Sequence, residues 1–333
     1  MTAANAEALI DLVTAAQFAE ARERLRGAVL HTPLVRLASV TDAVAYLKPE
    51  SLQPIGSFKL RGASNAVAQL SEAERRRGVI TYSSGNHGQG VAYAARAFGI
   101  PAVIVMPRNA PETKRQAVKV LGAEIVDVGP ASSERRERAE ALAAEHGYTI
   151  IPPYDDPAII AGQGTCGLEI LADCPEVDLV LAPVGGGGLL SGVAAAIRQQ
   201  RPECHVLGVE PELAGDAAAS MREGKIVQYT ADQTTRTLAD GLRTQSLGTL
   251  NFAHLQRYVE AIVTVTEQEI EQAMRRIAYD ARLIAEPSGA VATAALLFHR
   301  QELPSHRTVV AIISGGNAEP ATLLRVLAPN ASA

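Results

Sequence analysis

Four short segments of glycine, hydroxyl, amide and carboxylate residues stand out in the 333-residue sequence. They are Ser84-Gly85-Asn86-His87-Gly88, Gly185-Gly186-Gly187-Gly188-Leu189-Leu190, Glu210-Pro211 and Ser314-Gly315-Gly316-Asn317. The tetraglycine reads as an anion cradle. Consecutive glycines let backbone N–H groups turn inward, and a helix that follows offers its positive end. Gly186, Gly188 and Gly192 also read as a dinucleotide fingerprint with Glu210 as the ribose acid, whereas the absence of a following Gly-Lys-Ser/Thr excludes a P-loop. Lys59, in Gly56-Ser57-Phe58-Lys59, separates these readings. A lone lysine is usually a solvated surface residue, but one at a helix start, paired with an anion cradle elsewhere, suits Schiff-base chemistry on a phosphorylated aldehyde cofactor.

These segments need elements to hold them. Short β-branched runs at 78–83, 102–106, 124–128, 178–182, 205–209 and 308–313 read as buried parallel strands. Ala-rich amphipathic stretches at 60–70, 89–98, 112–121, 132–146 and 268–283 read as the helices between them. The class is therefore α/β, with doubly wound parallel sheets, and ligands bind beyond the carboxyl ends of such strands. Each chemical segment follows a strand. The expected organisation is a small domain, residues 51–147, inserted into a large one made of residues 1–50 and 148–333.

Composition excludes several partners. Thirty-one Lys and Arg against 36 Asp and Glu leave a net charge of −5, without the basic field that nucleic acid requires. Five Phe, eight Tyr and no Trp offer no stacking platform for bases. The basic runs Arg75–Arg76–Arg77 and Arg135–Arg136 are expected to be solvated helix faces. Cys166, Cys174 and Cys204 form neither a disulfide framework nor a zinc pattern. The first 21 residues lack a basic leader before an apolar run, so a cytoplasmic protein without a membrane segment is expected.

Taken together the motifs resemble the serine/threonine dehydratase family, pyridoxal-phosphate enzymes of fold type II that include serine racemase. The resemblance rests on Ser57-Phe58-Lys59-Leu60-Arg61-Gly62-Ala63, Ser83-Ser84-Gly85-Asn86-His87-Gly88-Gln89-Gly90, Gly185–Leu189 and Ser314-Gly315-Gly316-Asn317. Lys48-Pro49-Glu50, Tyr154-Asp155-Asp156-Pro157, Gly162-Gln163-Gly164-Thr165, Ala239-Asp240-Gly241 and Glu286-Pro287-Ser288-Gly289-Ala290 agree, in family order over roughly residues 25 to 325. The resemblance implies a tryptophan-synthase-β-like fold and pyridoxal 5'-phosphate as cofactor. It implies Lys59 as the Schiff-base lysine and Cα proton shuttle, Phe58 flanking the cofactor and Asn86 on its ring hydroxyl. Gly185, Gly186, Gly187, Gly188 and Leu189 hold the phosphate, and Ser314 meets the ring nitrogen. A serine there does not enforce ring protonation as a carboxylate does, which favours prompt β-elimination. Ser83, Ser84, Gly85, Asn86 and His87 form the loop for the substrate carboxylate, with His87 in a supporting role.

Two features refine the implied activity. Glu210, Ala214 and Asp216 resemble a divalent-metal site of two carboxylates and a backbone carbonyl, suited to Mg2+, Ca2+ or Mn2+, against the alternative of a plain acidic loop. Ser84 resembles the second acid/base of racemases, or else only binds the carboxylate. The main expectation is a dehydratase taking L-threonine or L-serine to a 2-oxo acid and ammonia, in a homodimer. The alternatives are a serine racemase with dehydratase side activity, a dehydratase of 3-hydroxyaspartate or phenylserine, and, outside enzymes, a dinucleotide-binding sensor. Ile55, Pro153 and Cys166 depart from the family pattern and are expected to touch neither the lysine nor the phosphate loop. The last motif lies close to residue 333, so a regulatory domain responding to isoleucine is not expected.

Overall fold

The computed structural model describes residues 10–328 except 41, 84, 111, 130 and 131. Its strands are β1 (Val35–Arg36), β2 (Val44–Pro49), β3 (Val79–Tyr82), β4 (Ala102–Pro107) and β5 (Glu124–Val128). Then follow β6 (Thr149–Ile150), β7 (Leu179–Pro183), β8 (His205–Pro211), β9 (Ile262–Val265) and β10 (Thr308–Ile313). They make two sheets, β1-β2-β10-β7-β8-β9 and β5-β4-β3-β6, with every pairing parallel except β1 with β2.

The six-stranded sheet is apolar on both faces because both are covered by helices. Leu179, Leu181, Val309 and Ala311 pack with Ile277, Val291 and Ala295, from the helices Glu267–Ala281 and Pro287–Phe298. The alternate residues Val180, Ala182, Val310 and Ile312 pack with Ile170, Leu190 and Val193, from the helices Pro157–Asp173 and Gly188–Gln200. The four-stranded sheet repeats this plan. Ile104 and Met106 meet Val67 and Val91, while Val103 and Val105 meet Ala139 and Leu142.

The strands expected from β-branched runs form within a residue or two of the expected limits. β1, β2, β6 and β9 were not anticipated. β1 and β6 are only two residues long, β2 carries Lys48 among its apolar residues, and β9 is a four-residue strand that alternates partly buried with buried residues. The basic runs are largely solvated, with Arg76, Arg77 and Arg136 exposed, and only Arg75 and Arg135 are partly buried. The Arg75 guanidinium lies 4.8 Å from the Phe98 ring centre, and Arg135 is sufficiently buried that its pKa is lowered.

Helix packing explains several motifs. A Cβ on Gly62 would lie 2.5 Å from the Gln163 side chain, and one on Gly162 would lie 2.6 Å from the Gly62 Cα. The helices Lys59–Ala68 and Pro157–Asp173 thus touch backbone to backbone. Arg61, two residues beyond Lys59, is fully buried and donates to Glu50 (2.7 and 2.8 Å), Glu169 (2.7 and 2.7 Å) and Thr165 (3.1 Å). Lys48 donates to Glu169 at 2.7 Å, and Thr32 to Glu50 at 2.7 Å. This closed, charge-balanced cluster fixes the helix that begins at Lys59. Breaking such a buried network costs far more than breaking a surface pair.

Candidate active site

The segments carrying Lys59, Asn86 and Ser314 come together, with the tetraglycine beside them. The segment carrying Lys59 is stitched to the loop after β10: Ser57 bridges Gly315, Phe58 N–H donates to the Ser314 carbonyl at 3.0 Å, and Gly316 N–H donates to the Gly56 carbonyl at 2.9 Å. Phe58 and Lys59 therefore lie beside Ser314 whatever their side chains do. The Lys59 ammonium lies 5.2 Å from the Phe58 ring centre and donates to the Pro153 carbonyl at 2.6 Å. Burial pulls the Lys59 pKa down to about 8, so its uncharged, nucleophilic form is within reach near neutral pH. The expectation that Pro153 would not touch the lysine is corrected. The contact runs through its backbone oxygen, which carries no trace of residue type.

Asn86 opens the Asn86–Ala97 helix behind β3. Its amide donates to Glu286 at 2.6 Å and accepts from Asn317 at 2.8 Å, and Asn317 also donates to the Ile55 carbonyl at 2.8 Å. Burial, reinforced by Asp240 and opposed by Lys114 and Asn86, raises the Glu286 carboxyl to about 7. His87 is buried, and desolvation followed by the nearby Lys59 charge lowers its pKa to about 3. A neutral ring 3.0 Å from the Ile151 carbonyl must donate through Nε2, leaving Nδ1 as a buried acceptor. That disposition supports a holding role over proton donation. Ser83 Oγ accepts from Gly85 N–H at 3.1 Å, while Ser84 lies outside the described residues.

The tetraglycine forms the mouth of the Gly188–Gln200 helix. Gly185 and Gly187 hold φ of +53° and +98°, which a side chain would strain. A Cβ on Gly186 would run into the Tyr154 ring, and one on Gly187 would lie 2.8 Å from the Asn251 Cβ. Geometry leaves the first-turn N–H groups of this helix without intrahelical partners, so the bend can hold a phosphate. Tyr154 thus floors the cradle, while Asp155 and Asp156 cap two helices, accepting from Leu250 N–H (2.9 Å) and Ala158 N–H (2.8 Å).

Ser57 Oγ, His87 Nδ1 and Glu286 Oε2 are buried polar atoms with no hydrogen-bond partner in the protein. They lie in the segment before Lys59, in the first turn of the Asn86–Ala97 helix and just before the Pro287–Phe298 helix, as expected of a site shaped for a polar ligand. With a buried amine, a glycine cradle at a helix mouth and hydroxyl and amide groups between, the residues fit pyridoxal phosphate. The model for the family described as "Pyridoxal-phosphate dependent enzyme" matches residues 25–315.

The chain belongs to that family.

Its relatives include an L-threonine ammonia-lyase of Thermotoga maritima, 42% identical over 95% of this chain and 78% of the relative. Another is an L-threo-3-hydroxyaspartate ammonia-lyase of Saccharomyces cerevisiae, 41% identical over 90% of this chain and 92% of that one. The solved structure of maize serine racemase superposes with a TM-score of 0.90 at 35% identity, covering 95% of this chain and 97% of that one. Members of the family acting as lyases and as a racemase thus share this architecture.

Glu210, Ala214 and Asp216 form a separate patch at the end of β8. Both carboxylates are about 1% exposed; Glu210 accepts from Ala218 N–H at 2.7 Å, and Asp216 Oδ2 has no donor. Burial, with Asp216 adding repulsion, holds Glu210 well above the ordinary carboxylate range. No cluster of three or more His, Cys, Asp or Glu side chains suited to a metal ion occurs among the described residues. No described helix is long and apolar enough to cross a membrane.

Sequence reasoning gave no role to Glu286, Asp240, Asn317 or Tyr154, although all but Asn317 sit in motifs quoted without a function and Asn317 in one whose role went to Ser314. Lys114 carried no signal at all. It lies in a polar helix, Glu112–Val120, and becomes notable only because the fold pairs it with Asp240 and lays it against Gly85.

Proposed function

We propose that the protein is an ammonia-lyase of β-hydroxy amino acids, converting L-threonine or L-serine to a 2-oxo acid and ammonia. The observation that carries the reading is the buried Lys59 amine, drawn down to about 8 and tied by backbone bonds to the Ser314 loop. The name of the Thermotoga relative supports elimination as the reaction.

Pyridoxal phosphate, when bound, supplies an electron sink for charge developing at the substrate Cα. Lys59 anchors it, Gly185 to Leu189 hold its phosphate through N–H groups, and Phe58 flanks its ring. Asn86 would meet its ring hydroxyl, and Ser314 would offer its ring nitrogen a neutral hydroxyl. Gly85, Asn86 and His87, with Ser83 and Ser84, receive the substrate carboxylate. Lys59 Nζ accepts the Cα proton. Loss of that proton and of the β-hydroxyl releases an enamine, which water converts to the 2-oxo acid and ammonia.

Several further assignments complete the reading. The small unit is residues 51–147, and residues 1–50 with 148–333 form the large one. Glu210, the Ala214 carbonyl and Asp216 hold Mg2+, Ca2+ or Mn2+; two adjoining buried carboxylates, one with an orphan oxygen, fit a hard divalent cation. The enzyme works as a cytoplasmic homodimer.

Purified Lys59→Ala protein is expected to form no 2-oxo acid from L-threonine or L-serine; full production by that variant refutes the assignment. A second reading, racemisation, draws on the likeness to maize serine racemase. Solvent deuterium at Cα of recovered, inverted serine supports it, and Ser84→Ala protein that still inverts serine removes Ser84 as the second base.

A further inference from the structure

An ion pair also joins the layers of the two sheets close to the cofactor-binding loops. Lys114, on the helix between β4 and β5, pairs with Asp240 in the turn Asp240–Leu242 of the other sheet's layer. The pair is not an ordinary surface contact, since the Lys114 side chain is only 8% exposed. Its two ends lie against different parts of the site. The Lys114 stem covers Gly85, where a Cβ would lie 3.2 Å from its Cδ and 3.4 Å from its Nζ. On the other side, Gly241 N–H donates to Ser288 Oγ at 2.8 Å, and the Ser288 carbonyl accepts from Ser314 Oγ at 3.3 Å. Leu242 packs on the cradle, with its Cδ2 3.2 Å from where a Gly185 Cβ would be.

The charges facing this pair are accounted for by their neighbours. Burial disfavours the Lys114 ammonium, but Asp240, then Glu286 and Glu319, outweigh it and hold the pKa above its ordinary value. Lys114 and Asp240 therefore neutralise each other beside Glu286, which itself fixes Asn86. Taken alone, Lys114 could instead be a direct counter-ion for substrate. Its bond to Asp240 argues against that, because the ammonium's charge is already paired with a carboxylate.

We propose that Lys114 and Asp240 are positioning residues, and that their ion pair presses the carboxylate-binding turn at Gly85 into place while fixing the turn beside the phosphate cradle and Ser314. The proposal rests on reading residues 83–87 as the carboxylate-binding loop. It predicts that either single loss loosens the same turn and weakens substrate binding more than turnover.

The test uses holoenzyme carrying Lys114→Met, Asp240→Asn, both together, and the exchanged pair Lys114→Asp/Asp240→Lys. Hydrogen exchange at residues 85–90 reads the turn without any substrate. Binding of L-alanine, which has no leaving group, is followed by the cofactor's absorbance, and KM and kcat are measured on L-threonine. Each single variant is expected to speed exchange at 85–90 and weaken L-alanine binding by about tenfold, with kcat changed less than about threefold. The double variant is expected to be no worse than either single one, and the exchanged pair to recover most of the loss. Tighter L-alanine binding by Asp240→Asn makes Lys114 a direct counter-ion and overturns the proposal. Additive single effects, or exchange at 85–90 unchanged in both single variants, overturn it too. If the wild type binds L-alanine but eliminates nothing from L-threonine, the lyase reading fails while the exchange and binding results still decide this one.

Discussion

Replacing Arg61 by Met is expected to destabilise the protein severely, and more so at neutral than at acid pH. The guanidinium is fully buried and bidentate on both Glu50 and Glu169, with a fifth bond to Thr165. Met fills much of the same volume, so the loss is electrostatic more than a cavity. Two carboxylates then share the single charge of Lys48, and Glu50, 0% exposed, loses its main partner. Removing one partner of a buried pair costs about 3–5 kcal/mol, against a total stability of about 5–15 kcal/mol. Arg61→Lys keeps the charge but not the planar fork, and about 1–3 kcal/mol is expected. In the intact protein burial pushes the Glu50 carboxyl up, but Arg61 outweighs it and holds the pKa below its ordinary 4.5. Glu50 then contributes stability above pH 4.5 that is lost as pH falls through its lowered folded value. Without Arg61, burial dominates and the folded pKa rises, so the folded variant binds a proton more readily than its unfolded chain. The stability gap between wild type and Arg61→Met must therefore narrow as pH falls from 8 to 5. Urea midpoints at pH 8, 6.5 and 5 measure it. A gap below about 1 kcal/mol at pH 8, or one that is constant or widens toward acid, refutes the reasoning.

Gly186→Ala drives a methyl into the Tyr154 ring and is expected to weaken pyridoxal-phosphate binding at least about tenfold, read by fluorescence titration of apoenzyme; unchanged affinity refutes the cradle. Covalent uptake of pyridoxal phosphate by apoenzyme requires the uncharged Lys59 amine, so its rate should rise with pH through about 8 and flatten above; a midpoint near 10 contradicts the lysine's burial. If a divalent cation sits on Glu210, Ala214 and Asp216, a chelator should lower the melting temperature by about 5 °C in wild type and not in Glu210→Gln. Equal response in both proteins removes that site.

The alternation of β-branched runs with amphipathic helices was enough to give the class, because burial on both faces of a parallel sheet forces a local, readable pattern. β10, buried along its whole length, is such a case, and β2, which carries Lys48, is not. The tetraglycine, Lys59 and Ser314 were legible for a similar reason: each is a residue type that its chemistry demands, in a loop that follows a strand or starts a helix. What they touch was not legible. The Lys59 acceptor is a backbone oxygen 94 residues away, and Glu286 reaches Asn86 across 200. Lys114 looks like any lysine of a polar helix until folding lays its stem on Gly85 and its charge against Asp240. Sequence by itself thus determined the fold class, the family's motifs and the kind of element on which each motif stands. Tertiary structure alone decided their charge states and partners, because desolvation and pairing depend on what the fold brings within a few ångströms, and chain order does not encode that.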